Sequence, residues 1–217
     1  MKYKLFILAL FILCYYTNSQ TSKIDSIKYK FVNTKEPDSI RFESGLNAYM
    51  ILFRQNLDSA RGFGNQVLKF SQEKNNKQWE ATILRFIGNS YAAQGDFQDA
   101  LKLFYKSHDI LKESSNKKEM ATTFNNIGTT YYELGAFTKA LDNLLQGLKL
   151  SEELNDTINL ARLTNNLGNV FLRQKNNVKA LEYYTYSLNL KKKIGDKRAL
   201  IATYNNVGLV YSQLKQF

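Results

Sequence analysis

Asn125-Asn126-Ile127-Gly128-Thr129-Thr130-Tyr131-Tyr132-Glu133-Leu134-Gly135-Ala136-Phe137-Thr138-Lys139-Ala140-Leu141 carries the pattern from which the architecture of this chain follows. Its landmarks return every 40 residues without an insertion or deletion. Gly88, Gly128, Gly168 and Gly208 share that spacing, as do Ala60, Ala100, Ala140 and Ala180. Tyr91, Tyr131, Phe171 and Tyr211 share it too, and Asn125-Asn126 returns as Asn165-Asn166 and Asn205-Asn206. A fixed period of this size marks a solenoid, in which each unit touches only its neighbours.

The unit from Asn116 to Asn155 reads as two helices. Asn116-Lys117-Lys118-Glu119 has an N-cap residue followed three positions later by Glu, the pattern of a capping box. Asp156 and Asp196 hold the same cap position one and two units on. Ala121, Phe124, Ile127, Gly128, Tyr131 and Leu134 then recur at spacings of three and four, one apolar stripe on a helix. Gly135 supplies a left-handed C-cap. A second stripe follows with Phe137, Ala140, Leu141, Leu144, Leu148 and Leu150, ending near Leu154. Glycine inside a helix costs about 0.5–1 kcal/mol relative to alanine. The return of Gly128 in unit after unit, opposite a small Ala140, points to close helix packing that offsets this cost.

These residues resemble the tetratricopeptide repeat family. The match lies in Gly128-x-x-Tyr131-x-x-x-Gly135-x-Phe137-x-x-Ala140-Leu141, repeated from Gly88 to Leu101 with Tyr91, Gly95, Phe97 and Ala100. The unit from Asn165 keeps Gly168, Phe171 and Ala180 but has Lys175 where the turn glycine stands, and Asn176-Asn177 is expected to make that turn. The family's usual period is about 34, and its second helix often ends at proline. A period of 40 without such a proline looks like a long-helix subtype. The resemblance covers roughly Gly45 to Phe217 and implies an all-α fold, a right-handed α-solenoid of antiparallel helix pairs. The expected units are 41–77, degenerate, then 78–117, 118–157 and 158–197, with 198–217 incomplete. In the first unit Ala48 replaces the helix glycine and Gly64 stands where Phe104 does.

Residues 1–19 read as a secretory signal. Lys2 and Lys4 precede an unbroken apolar run, Leu5 to Leu13, and Thr17 and Ser19 form a small-x-small cleavage pattern before Gln20. The apolar run is shorter than the roughly 20 residues of a membrane span. An uncleaved anchor and a lipoprotein site at Cys14 are the alternatives, and bulky Leu13 argues against the second. Cys14 is the only cysteine, so a mature chain has no disulfide and no thiol nucleophile. Residues 20–40 form a polar leader with Pro37, expected to add a short helix around Asp25 to Val32. This reading places the protein outside the cytoplasm, periplasmic or facing the periplasm. Contact with a membrane is expected only through the signal or a segment after Phe217.

The formal charge is +11. Lysines are spread along the units, and Lys191-Lys192-Lys193, the only run, reads as a solvated helix end favoured by the dipole. No nucleic-acid partner is expected of an exported chain with that distribution.

No catalytic set, metal site or cofactor-binding loop can be assembled from the sequence. His108, the only histidine, falls at the place of Leu68, Leu148 and Leu188 and reads as packed or half-buried. The resemblance implies that a protein or peptide ligand lies in a concave groove lined by the first helices. By register the candidates are Arg85, Asn89, Asn125, Thr129, Arg162, Asn165, Asn169 and Asn205. Asparagine has both donor and acceptor, so such a row can grip a peptide backbone, and Arg85 and Arg162 could pair with a carboxylate. The alternative is that these asparagines only fit one helix to the next. Asn126, Asn166 and Asn206 point about 100° away and are expected to bond the adjacent unit. The aromatic stripe of Tyr91, Tyr131, Phe171 and Tyr211 is expected in the core.

The last unit holds a first helix alone, and Phe217 falls where Phe97 and Phe137 open the second. Val207, Tyr211 and Leu214 would then forgo about 1.5–3 kcal/mol each. The expectation is a fragment of a longer protein, resembling the sensory region of exported bacterial regulators. A free-standing exported adaptor, which would dimerise through its last helix, and the front of an enzyme such as a histidine kinase are the alternatives.

Overall fold

The computed structural model describes residues 24–214; the signal at 1–19, Gln20 and Phe217 lie outside the described residues. Among the described residues there are ten α-helices and no strand. They are α1 (24–32), α2 (Asp38–Gln55), α3 (Leu57–Glu73), α4 (Lys77–Gln94), α5 (Phe97–Ser114), α6 (Lys117–Glu133), α7 (Phe137–Glu153), α8 (Thr157–Arg173), α9 (Asn177–Ile194) and α10 (Lys197–Leu214). The fold class is the all-α solenoid of antiparallel helix pairs. None of the described helices is long and apolar enough to cross a membrane.

The helices α3 to α9 end for one local reason. A residue with positive φ stands every 20 positions: Asn75, Gly95, Ser115, Gly135, Asn155, Lys175 and Gly195. The next N–H then folds back to the carbonyl five residues earlier, as in Asp96 to Tyr91, Ala136 to Tyr131 and Asn176 to Phe171. This is the Schellman closure of a helix end. The donor of that bond often opens the following helix: the side chains of Asn76, Asn116, Asp156, Asn176 and Asp196 each accept the N–H three residues on. Two expectations are corrected here. Lys175 itself takes the left-handed conformation at φ 59°, and Asn176 is the N-cap rather than the turn. The capping box at Asn116 is half made: Glu119 gives its N–H to Asn116, but the Asn116 N–H goes to Leu111 O and the Glu119 carboxylate takes Arg85.

The chain forms two compact units, Met1–Trp79 and Glu80–Phe217. In the first, Phe31 of α1 meets Phe63 and Phe70 edge-on at 5.4 and 5.5 Å, and Trp79 stacks on Phe42 at 4.8 Å. The segment expected as a polar leader therefore adds core: Ile24 and Phe31 are buried. The close approach of α2 and α3 falls at Gly45, where a Cβ would lie 2.8 Å from Val67 and 3.0 Å from Phe31.

In the second unit α4 meets α5 at Gly88 and Phe104, each helix from α5 on packs on the next, and the first helices of successive repeats, α6 and α8, also touch. The recurring glycines are the contact points. A Cβ on Gly88, Gly128 or Gly168 would stand 2.6 Å from Phe104, Leu144 or Tyr184. Ala100, Ala140 and Ala180 are fully buried beside them. One buried cluster joins Ala140 and Leu144 to Leu163, Leu167 and Val170, which locks one repeat to the next. Burying each such Leu or Val stabilises by about 1.5–3 kcal/mol. α10 differs from its counterparts. Ile201, Tyr204 and Tyr211 are exposed, and a Cβ on Gly208 would meet nothing within 4 Å. Tyr211 thus departs from the expected core stripe, since among the described residues no second helix covers that face.

Candidate functional site

The expected row lies on α4, α6, α8 and α10 within the second unit. Asn89 stands four residues after Arg85, Thr129 after Asn125 and Asn169 after Asn165, so each pair shares one helix face. The structure ties these residues into a ladder between repeats. Asn126 Nδ2 donates to Asn89 Oδ1 at 2.8 Å. Asn166 Nδ2 donates to Asn125 Oδ1 at 2.9 Å and to Thr129 Oγ1 at 3.2 Å. Asn206 Nδ2 donates to Asn169 Oδ1 at 3.4 Å. The second asparagine of each Asn-Asn pair reaches back to the row of the preceding repeat.

Chemistry fixes which end of two amides faces which way. Thr129 spends its proton on Asn125 O, so its oxygen must accept from Asn166, and Asn125 must present its carbonyl. Lys191 Nζ has only donors, so Asn165 must offer it Oδ1, at 3.1 Å. Thr203 Oγ1 donates to the same oxygen at 2.9 Å. At Asn169, Oδ1 also accepts from Tyr184 OH at 2.7 Å, and burial raises the Tyr184 pKa above that of a free phenol. The carbonyl oxygens of Asn165 and Asn169 each accept two bonds inside the protein, and that of Asn125 accepts one. Their NH₂ groups have no partner among the described residues.

The arginines divide. Arg85 Nη2 holds Glu119 Oε2 at 2.7 Å, its side chain 11% exposed, and its Nε is buried without a partner. The sequence allows Arg85 to pair with a ligand carboxylate; the structure gives it an internal partner, Glu119 on α6. Arg162 is exposed and has no charged partner among the described residues. Asn205 is exposed on α10. His108, outside the row, rests on Phe124 at 4.9 Å and approaches Asp109 at 3.4 Å.

Two recesses open along the row. One, of about 380 Å³, is bordered by Asn125, Arg162, Asn165, Asn166 and Lys191. The other, of about 860 Å³, is bordered by Tyr132, Asn169, Arg173, Tyr184 and Asn206. Lys191 is the residue that sequence reasoning missed. The sequence places it in a solvated lysine run, yet it is 7% exposed, while Lys192 and Lys193 are exposed. Its Nζ donates to Thr203 Oγ1 at 2.6 Å. Burial lowers its pKa below the ordinary lysine value, against a smaller opposing pull from Asp196. One signal was available: the places one and two periods earlier hold Ser151 and Leu111, both buried. No group of three or more His, Cys, Asp or Glu suited to a metal occurs among the described residues.

The profile of the tetratricopeptide repeat family matches residues 79–153 and 159–217, and the chain belongs to that family. Repeats of this kind build protein-interaction scaffolds, which is the coarse class of this chain. No curated protein matches it in sequence. Among solved structures, BtubC (BKLC) from P. vanneervenii is 18% identical with a TM-score of 0.72, over 90% of this chain and 80% of that one. Aspartyl phosphate phosphatase F from Bacillus subtilis is 15% identical with a TM-score of 0.73, over 81% of this chain and 46% of that one. A signal transduction ATPase with numerous domains from Pyrococcus horikoshii, which has a tetratricopeptide repeat sensor, is 16% identical with a TM-score of 0.68, over 81% and 27%. This chain spans less than half the length of the last two. At these identities the likeness is one of fold.

Proposed function

We propose that this chain is a protein- or peptide-binding scaffold whose ligand lies along the first-helix row of the second unit. The observation that carries the reading is the set of NH₂ groups on Asn125, Asn165 and Asn169 that the internal ladder leaves without partners. With their carbonyl oxygens turned to internal donors, these side chains offer N–H groups. They suit the carbonyl oxygens of an extended segment, which recur whatever its side chains. Selection from a library of short extended peptides, followed by fluorescence anisotropy, tests this. Each of Asn125→Ala and Asn165→Ala is expected to weaken a selected peptide by about 0.5–1.5 kcal/mol. Unchanged affinity in both variants sinks the groove assignment.

The reading extends to cellular role. The basic start, apolar run and small-x-small pattern of residues 1–19 support export to the periplasm. A scaffold there would serve as the sensory or interaction region of a signalling protein, as the repeat sensor of the Pyrococcus horikoshii ATPase does within its own chain. Fractionation of cells expressing the chain, with sequencing of the mature N-terminus, is expected to give an exported product beginning at Gln20. A product that stays in the cytoplasm and retains Lys2 and Lys4 overturns it.

A further inference from the structure

A furrow runs between α5 and α7, the second helices of two successive repeats, with side chains of α6 on its floor. Two recesses, of about 530 and 490 Å³, lie end to end there and share His108, Phe124 and Gln146. Along α7 the furrow reaches from Lys139 to Glu153, about 21 Å at roughly 1.5 Å per residue. The same junction one repeat on is filled. There Leu148 takes the place of His108 and packs against buried Leu160 and Leu190. Between α5 and α7 the counterparts of those two leucines are Met120 and Leu150, both half-buried. His108 lies over Phe124, ring centroids 4.9 Å apart, and the space beside the pair stays open.

Charge singles out the same furrow. Lys112 of α5 and Lys149 of α7 are exposed on its border and have no ion-pair partner among the described residues. Glu153, the carboxylate at that end, is held by Lys117 at 2.8 Å. At the other end Lys139 and Asp142 balance, so four lysines against two carboxylates leave the border two positive units. One repeat on, the places of Lys112 and Lys149 hold Glu152 and Asn189. The walls decide the form of a partner. Backbone N–H and C=O groups inside α5, α6 and α7 are spent in those helices, so an extended chain finds no backbone partners there. Asn143 returns its amide to Lys139 O at 2.8 Å. A helix satisfies its own backbone and needs only side-chain contact. Asp142, Gln146, Lys149 and Glu153 follow at spacings of four, three and four, a ridge against which a further helix can pack.

We propose that the α5–α7 furrow is a second docking surface, which takes a short acidic amphipathic helix of a partner protein. Its apolar row lies on His108, Phe124 and Leu150, and its flanking carboxylates meet Lys112 and Lys149, a complementarity of sign that also steers the encounter. This surface is separate from the first-helix row and does not rest on it. A scaffold that takes an extended segment on its first helices and a helix between its second helices holds two partners at once.

The test displays a library of helical peptides of about 14 residues, the length of the furrow, against the full chain. Each peptide has an alanine and glutamine scaffold with the positions of one face randomised, and affinities are then measured by fluorescence anisotropy. Selected peptides are expected to carry an apolar row flanked by Asp or Glu. Lys112→Glu combined with Lys149→Glu, on exposed side chains, is expected to weaken them at least tenfold. Lys193→Glu combined with Lys197→Glu, an equal change of net charge elsewhere in the second unit, is expected to have little effect. His108→Leu combined with Met120→Leu copies the filled junction one repeat on and is expected to weaken them several-fold, with the helical circular dichroism retained. Unchanged affinity in the Lys112 and Lys149 combination, or equal loss in the two charge combinations, overturns the proposal. So does a library that yields no helical binder, or binders that respond to Asn125→Ala and Asn165→Ala alone and so occupy the first-helix row. Phosphatidylglycerol vesicles that bind wild type and not the Lys112 and Lys149 combination, where no peptide is selected, make the furrow a lipid contact and overturn it likewise. Helical binding that persists while no extended peptide is found removes the groove reading and leaves this surface standing.

Discussion

Lys175 and Lys191 are two lysines that depart from what their sequence positions suggest, the first in its backbone and the second in its burial. At φ 59°, Lys175 holds a conformation that costs an L-residue roughly 1–2 kcal/mol, at the place where Gly95 and Gly135 stand in other repeats. Lys175→Gly is therefore expected to stabilise the chain by about 0.5–1 kcal/mol, after the loss of unfolded-state restriction is subtracted. Urea unfolding checks it, and a destabilised variant would mean that the lysine side chain matters more than its backbone. Lys191 titrates in the other direction from a paired lysine. Burial lowers its folded pKa, while the unfolded value stays near 10.5. As pH climbs through the folded value toward 10.5 the unfolded chain holds the extra proton, so stability rises with pH. Below the folded value the burial penalty is constant. The stability of wild type minus that of Lys191→Met is thus expected to increase toward pH 10.5 and to be flat at lower pH. A difference that falls over that range refutes the assignment.

Among the helices, the same substitution has opposite signs in different repeats. Gly168→Ala gains helix propensity but drives a methyl to 2.6 Å from the fully buried Tyr184 ring. Overpacking of about 1–3 kcal/mol outweighs the roughly 0.5–1 kcal/mol that alanine contributes. Gly208→Ala meets nothing within 4 Å, so only the propensity remains and the variant is expected to be more stable. Paired denaturant melts of the two variants decide this, and equal signs would refute the packing account. Helix ends were legible for the same local reason: asparagine, aspartate and glycine at a spacing of 20 announce left-handed closure followed by a cap. Ser115 and Lys175 were harder to read, because neither residue type favours that conformation and only the closing bonds to Leu111 and Phe171 show it.

At the scale of the molecule, stability in a stacked array is a sum over neighbours. Within the second unit α8 buries nine residues and α10 only Thr203 and Val210. Amide exchange is expected to be slowest along α6 and α8 and markedly faster along α10, and uniform protection would contradict the burial pattern. The period, the helix pairs, the small contact residues and the candidate row could all be read in one dimension, because each depends on residues within one repeat. The use made of the row could not. Whether Asn125 leaves its carbonyl or its amide unengaged depends on Asn166, and Arg85 is claimed by Glu119. Those partners lie 41 and 34 residues away, across a junction whose rotation no local pattern records. Lys191 is the sharpest case. Its composition said solvent, and only the arrival of Thr203 and Asn165 around its amine made it a buried charge. The sequence by itself determined the repeat and the helices, through hydrophobic periodicity and backbone closure. Tertiary structure alone decided which polar groups remain unspent, because hydrogen bonds are short and directional and their partners come from different repeats.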